Sequence, residues 1–136
     1  MKSLMLWATL AAFGATCGPS LADEAAVVKP NLVLQQLVQG LPQGSESEIR
    51  VMTATFHTGD TTPVHTHGFP VTVYVIEGEF TAEMEGMAPI TIRAGEAMVE
   101  PPNTVMTGLS RAATGDTKVV VFYVSTAGAP FLSPLE

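Results

Sequence analysis

Short runs in which apolar and polar residues alternate make up most of this chain of 136 residues. Alternation with a period of two is typical of strands that have one buried face. Residues 31–38 carry aliphatic side chains suited to a first strand, and a loop at 40–47 follows them. The pattern then predicts further strands at 48–56, 71–76, 79–84, 90–93, 97–99, 105–109 and 118–125.

Turn residues separate nearly all of these runs. Gly59-Asp60 and Gly115-Asp116 are typical connections between antiparallel strands, and similar pairs recur along the chain. No long stretch beyond residue 22 repeats apolar residues at helical spacing, apart from a turn or two within 32–38. Many short strands with close turns predict an all-β sandwich or barrel, and the length suffices for a single domain with its own core.

Residues 1–22 have the features of a secretory signal peptide. Lys2 precedes an apolar run at 4–15, and Ser20-Leu21-Ala22 supplies the small residues of a cleavage site before Asp23. The run is shorter than the roughly 20 residues that a membrane span needs. Cleavage would remove Cys17, the only cysteine, so no disulfide is expected in the mature chain. We expect an exported, periplasmic protein without a membrane anchor after cleavage.

The charge balance limits the class of partner. The chain has 13 acidic and 6 basic residues, a formal charge of -7, and no basic stripe. This balance argues against nucleic acid or an anionic membrane surface as a partner, and it is compatible with cations and neutral small molecules.

The three histidines of the chain, His57, His65 and His67, lie close together in the sequence. In an extended strand, His65 and His67 point to the same face with their backbones about 7 Å apart, so both rings can reach one ion. This spacing indicates a shared metal ion. His57 ends the strand before Gly59, where a surface histidine is the ordinary outcome, but it is also a candidate fourth ligand.

Two groups of residues resemble the two sequence motifs of the cupin family: Gly59, His65-x-His67 and Gly78, and then Gly95 and Pro101. The resemblance implies a double-stranded β-helix, or jelly-roll barrel, over residues 48–126. An N-terminal arm with the first strand would occupy 23–47, and a C-terminal strap would occupy 127–136. Because cupins often dimerise and exposed strand edges need covering, a homodimer is also expected.

The chain departs from the cupin metal site at two ligand positions. The family's glutamate falls on Val71 and its second-motif histidine falls on Met106, and the residues that flank that histidine become Asn103 and Ser110. The resemblance therefore implies an interior with His65, His67 and Met106 close together.

A ligand set of two imidazoles and a thioether favours copper, in particular Cu(I), because thioether sulfur is a soft, neutral ligand. A monovalent ion also costs less to bury where no carboxylate neutralises it. Zinc, nickel, iron and manganese remain open. Met106 has an alternative interpretation as a residue that fills the core.

Two other functions remain open. One is a metal-dependent enzyme of the dioxygenase or isomerase kind, which would need a group that moves a proton. The nearest carboxylates, Glu77, Glu79 and Glu100, are predicted to be solvated turn residues. The other is a metal-free barrel that binds a small apolar or aromatic molecule, against Phe69, Val73, Val75 and Met106.

Overall fold

The computed structural model describes residues 27–136. The predicted signal peptide, its cleavage site before Asp23, and Cys17 lie outside the described residues. Residues 31–136 form one compact unit. Within the described part of the chain, no helix is long and apolar enough to cross a membrane.

Nine strands make up the regular structure of residues 27–136, and all of their pairings are antiparallel. They are β1 (Glu48–Phe56), β2 (His65–Thr66), β3 (Val71–Glu77), β4 (Glu79–Met84), β5 (Ile90–Arg93), β6 (Ala97–Glu100), β7 (Met106–Ser110), β8 (Thr117–Ser125) and β9 (Ser133–Pro134). One sheet has the order β1-β8-β3-β6, and the other has the order β5-β4-β7-β2-β9. The expectation of an all-β jelly-roll fold is confirmed.

The core lies between the two sheets, since both contribute buried side chains to one cluster. Val71, Val73 and Val75 of β3 and Val119 and Val121 of β8 come from the first sheet. The second sheet contributes residues such as Phe80, Ala82, Met84 and Met106. Inward-facing positions alternate with outward-facing ones along β3, β7 and β8, which is the period-two pattern that the sequence shows.

The predicted first strand at 31–38 was wrong. This segment has no regular secondary structure, and Leu32 and Leu37 are 73% and 100% exposed. Aliphatic residues favour a strand only where a neighbouring strand and a buried face are available. The other predicted strands are present, with ends that differ by at most one residue.

Gly78 joins β3 to β4 with a backbone φ of +80°. A Cβ atom here would lie 2.5 Å from Oγ1 of Thr117 and 2.6 Å from the carbonyl of Asp116. Only glycine fits this turn, because both the positive φ and the close approach of β8 exclude a side chain.

Asn103 also has a positive φ, of 56°, at the position where the cupin motif has glycine. Asparagine tolerates this left-handed conformation better than most residues. The backbone N–H of Asn103 donates to the carbonyl of His67 over 2.7 Å. The turn before β7 is therefore hydrogen-bonded directly to the backbone of His67.

Candidate metal centre

His65 lies on the short strand β2, between β7 and β9, and His67 follows the end of this strand directly. Both side chains face the interior, with exposed fractions of 4% and 2%. Their Nε2 atoms are 3.1 Å apart, and the rings meet edge to face. The prediction that the two rings converge agrees with this geometry.

The opposite nitrogen of each ring contacts a backbone carbonyl. Nδ1 of His65 is 2.7 Å from the carbonyl oxygen of Pro63, and Nδ1 of His67 contacts the carbonyl oxygen of Phe131. A carbonyl oxygen can only accept a hydrogen bond, so we assign the proton of each ring to Nδ1. In the neutral rings, both Nε2 atoms then present lone pairs to each other.

Glu100 brings a carboxylate to the same place. It is 5% exposed, and its Oε2 atom lies 3.4 Å from Nε2 of His67. The prediction of a solvated turn residue was therefore wrong for Glu100. Strand β6 extends through this residue, and alternation places Glu100 on the inner face together with Met98. Extending the predicted strand 97–99 by one residue would have shown this.

Glu77 and Glu79 behave as expected of surface carboxylates. Glu77 pairs with Lys118 and Glu79 pairs with Arg93, in both cases with partly exposed side chains. Neither glutamate lines the cavity beside the histidine pair.

Met106 lies opposite His65 in the pairing of β2 with β7. Directly opposite residues of an antiparallel pair point to the same side of the sheet. Met106 is 2% exposed and belongs to the hydrophobic core, and it is absent from the residues that line the cavity at the histidine pair. The position suits either a ligand or a core residue, so the role of Met106 as a ligand stays a prediction.

His57 lies at the surface, away from the histidine pair. Its ring is exposed, and Nδ1 lies 2.8 Å from Oδ1 of Asp116. This hydrogen bond and the charges of Asp116 and Asp60 raise the pKa of His57 above its usual value of 6.5. The contacts match a surface histidine that forms a local ion pair.

A cavity of about 80 Å³ adjoins the histidine pair and Glu100. Ligand pockets for organic molecules usually have roughly 300–1,000 Å³, so this space suits an ion with small ligands better. Val73 lines the cavity, whereas Phe69, Val75 and Met106 do not. A larger apolar groove of about 840 Å³ lies elsewhere, between residues 34–40 and the β5–β6 region, and neither histidine of the pair lines it.

The C-terminal strap closes the barrel over the histidines. Phe131 packs on the rings of His67 and Tyr123, with centroids 4.8 and 5.4 Å apart. Tyr123 donates its hydroxyl hydrogen to the carbonyl of Pro130, and burial raises the pKa of this phenol above its usual value. Arg50 donates to the carbonyl of Ala129 and lies over the Tyr123 ring. The strap thus both orients His67 and covers it.

The atoms of the pair fit a metal ion in spacing and chemistry. Imidazole nitrogen binds first-row ions at about 2.0–2.1 Å, so two ligand atoms of one ion lie roughly 3.0–3.4 Å apart. The distances of 3.1 Å between the Nε2 atoms and 3.4 Å from His67 to Glu100 fall in this range. Among residues 27–136, no group of three or more His, Cys, Asp or Glu side chains is arranged so that it could hold a metal ion.

Comparison with solved structures supports the fold. A cupin-like protein from Thermotoga maritima is 23% identical with a TM-score of 0.52, over 64% of each chain. A cupin with a double-stranded β-helix from Methanocaldococcus jannaschii is 16% identical with a TM-score of 0.54, over 78% of this chain and 94% of that one. A DMSP lyase from Ruegeria pomeroyi is 13% identical with a TM-score of 0.54, over 74% and 59%.

The match spans less than two-thirds of the Thermotoga and Ruegeria proteins. At these identities, the likeness concerns the fold alone. No curated protein matches the sequence significantly.

The sequence of residues 52–124 matches the cupin domain, which is more than half of the chain. This stretch includes both histidines of the pair and runs from β1 into β8. The chain therefore belongs to the cupin family.

Proposed function

We propose that this cupin barrel binds one transition-metal ion through Nε2 of His65 and Nε2 of His67. The observation that carries the proposal is the distance of 3.1 Å between the two Nε2 atoms, with both Nδ1 atoms next to carbonyl oxygens. A cation between the two nitrogens would remove their mutual repulsion. Imidazole suits copper, zinc, iron and nickel.

A proton is the competing cation. If one ring is an imidazolium, its Nε2–H donates to the other Nε2, and Glu100 balances the charge. A metal ion satisfies the same lone pairs, and it makes use of carbonyl contacts that fix the orientation of each ring, as is common for ligating histidines. The two cations are distinguished by measuring bound metal.

The sequence alone favours copper held by His65, His67 and Met106, and this preference depends on Met106 being a ligand. A thioether ligand would favour Cu(I) over divalent ions. An exported, periplasmic location is likewise part of the proposal, since it depends on the features of residues 1–22.

We favour ion binding over turnover of an organic substrate. The cavity of about 80 Å³ leaves little room for a substrate, and Phe131 covers the histidines. A metal-dependent oxygenase or isomerase would require the strap to open. A barrel that holds a larger apolar molecule at the histidine pair would require the same movement.

The proposal is tested by replacing the pair and measuring metal content and stoichiometry. We expect wild type to bind one equivalent of metal, and His65→Ala/His67→Ala to bind none while the β-rich circular dichroism spectrum is kept. His57→Ala is the matched control, because it removes an exposed histidine and should still bind one equivalent. Binding that survives the double substitution would place the site elsewhere and refute the proposal.

A further inference from the structure

Glu100 lies directly opposite Val71 in the pairing of β3 with β6. Opposite residues of an antiparallel pair point to the same side, with Cβ atoms about 4.5–5.5 Å apart. Val71 holds the position where the cupin motif has its glutamate. A carboxylate therefore enters the site from the neighbouring strand instead of from β3.

The surroundings of Glu100 favour a cation. The residue is 5% exposed, and among residues 27–136 no lysine or arginine forms an ion pair with its carboxylate. The basic group beside it is His67. An ionised carboxylate that is buried without a paired charge is costly, so a cation at this point would stabilise it.

We propose that Glu100 is the third protein ligand, so that the site is His65, His67 and Glu100 and selects a divalent ion such as Zn(II) over Cu(I). This inference rests on the proposed function, since it takes the histidine pair as a metal site. The terminal torsion of a glutamate is soft, so the carboxylate can turn toward the point between the two rings.

The charge of the ligand set explains the selectivity. The preference for Cu(I) followed from neutral ligands around a buried ion. With Glu100 as a ligand, one negative charge offsets a divalent ion, and a carboxylate oxygen is a harder ligand than a thioether. Met106 then remains in the hydrophobic core, where it is found with 2% exposure.

The test measures the affinities of wild type, Glu100→Gln and Met106→Leu for Zn(II) and Cu(I), each metal alone in competition with a chelator. We expect Glu100→Gln to weaken Zn(II) binding at least tenfold and Cu(I) binding much less. Met106→Leu, close in volume, should leave both affinities within about threefold. Circular dichroism of each variant verifies the fold.

The outcomes distinguish failure of this inference from failure of the proposed function on which it rests. If wild type binds one equivalent of metal and Glu100→Gln binds Zn(II) as tightly as wild type, the assignment of Glu100 is overturned and the histidine site stands. A selective loss of Cu(I) binding in Met106→Leu would overturn it in favour of the copper site. If wild type binds neither metal, both proposals fail.

Discussion

At the scale of single residues, the pairing of strands across the sheet, more than the sequence motif, shows which side chain brings a carboxylate to the site. The motif places a carboxylate at residue 71, where this chain has Val71, yet Glu100 brings one to the same face from β6. Comparing the sequence with the motif reveals the loss at residue 71. Only the register of β3 with β6 shows that Glu100 supplies a carboxylate opposite residue 71, because the register determines which residues face each other.

His57 makes the stability of the folded protein depend on pH, independently of the metal site. Its pKa is raised in the folded state, chiefly by the hydrogen bond to Asp116. A raised pKa contributes stability that is fully present below the unfolded value of about 6.5 and is lost as the pH rises through the folded pKa. We therefore expect His57→Gln to lose more stability, relative to wild type, at pH 5.5 than at pH 9.

The measurement is the free energy of unfolding in urea across this range of pH. Asp116→Asn should remove the same pH-dependent difference. The effect should be small because the ring is exposed and the ion pair is solvated. A difference that grows as the pH rises would contradict the assignment.

At the scale of elements, the C-terminal strap is held by contacts that come from the opposite sheet. Arg50 of β1 donates to the carbonyl of Ala129, and Tyr123 of β8 donates to the carbonyl of Pro130. In the other sheet, β9 pairs with β2, with Pro134 opposite His65. The strap therefore connects the two sheets at the end of the barrel where the histidines lie.

Replacing Arg50 with methionine should loosen the strap. Hydrogen bonds from charged donors are worth about 1.5–3 kcal/mol each in partly buried sites. We expect chymotrypsin to cleave after Phe131 at least tenfold faster in Arg50→Met than in wild type, because local opening becomes more frequent. Timed proteolysis followed by mass spectrometry measures this rate.

Arg93→Met is the matched control for Arg50→Met. Arg93 pairs with Glu79 at the surface, and its side chain is 67% exposed. Its substitution should leave the cleavage rate unchanged. Equal rates for wild type and Arg50→Met would mean that the strap is held without Arg50.

The strands after residue 47 could be predicted because alternation and turn residues are local signals. The segment 31–38 could not, because its aliphatic residues do not show whether a partner strand is present. The site was predicted only in part. The spacing of His65 and His67 is local, whereas Glu100 depends on the end of β6, and the carbonyl of Phe131 depends on the path of the distant strap.

At the scale of the whole molecule, strand β1 lies at an open edge of its sheet and carries apolar residues on its outer face. Ile49 and Val51 are 71% and 59% exposed, and Phe122 lies opposite Val51 on β8 and is 43% exposed. A long edge strand with an apolar outer face favours association with another strand or sheet. This surface supports the expectation of a homodimer.

We expect the purified protein to be a dimer, and Ile49→Lys/Val51→Lys to be a monomer, because two lysines oppose burial of this face. Analytical ultracentrifugation measures the mass in solution. Met87→Lys is the control, since Met87 is 44% exposed in a turn away from β1 and its substitution should leave the dimer intact. A wild-type monomer, or a dimer that survives the double substitution, would rule out this interface.

The metal site itself is tested most directly by the ¹⁵N resonances of the three histidines during a titration with Zn(II). Before metal is added, we expect His65 and His67 to carry their protons on Nδ1. As metal is added, the Nε2 resonances of both should shift and saturate at one equivalent, while His57 stays unchanged. Resonances that do not shift, or a doubly protonated imidazolium at His65 or His67 that persists as metal is added, would contradict metal binding by the pair.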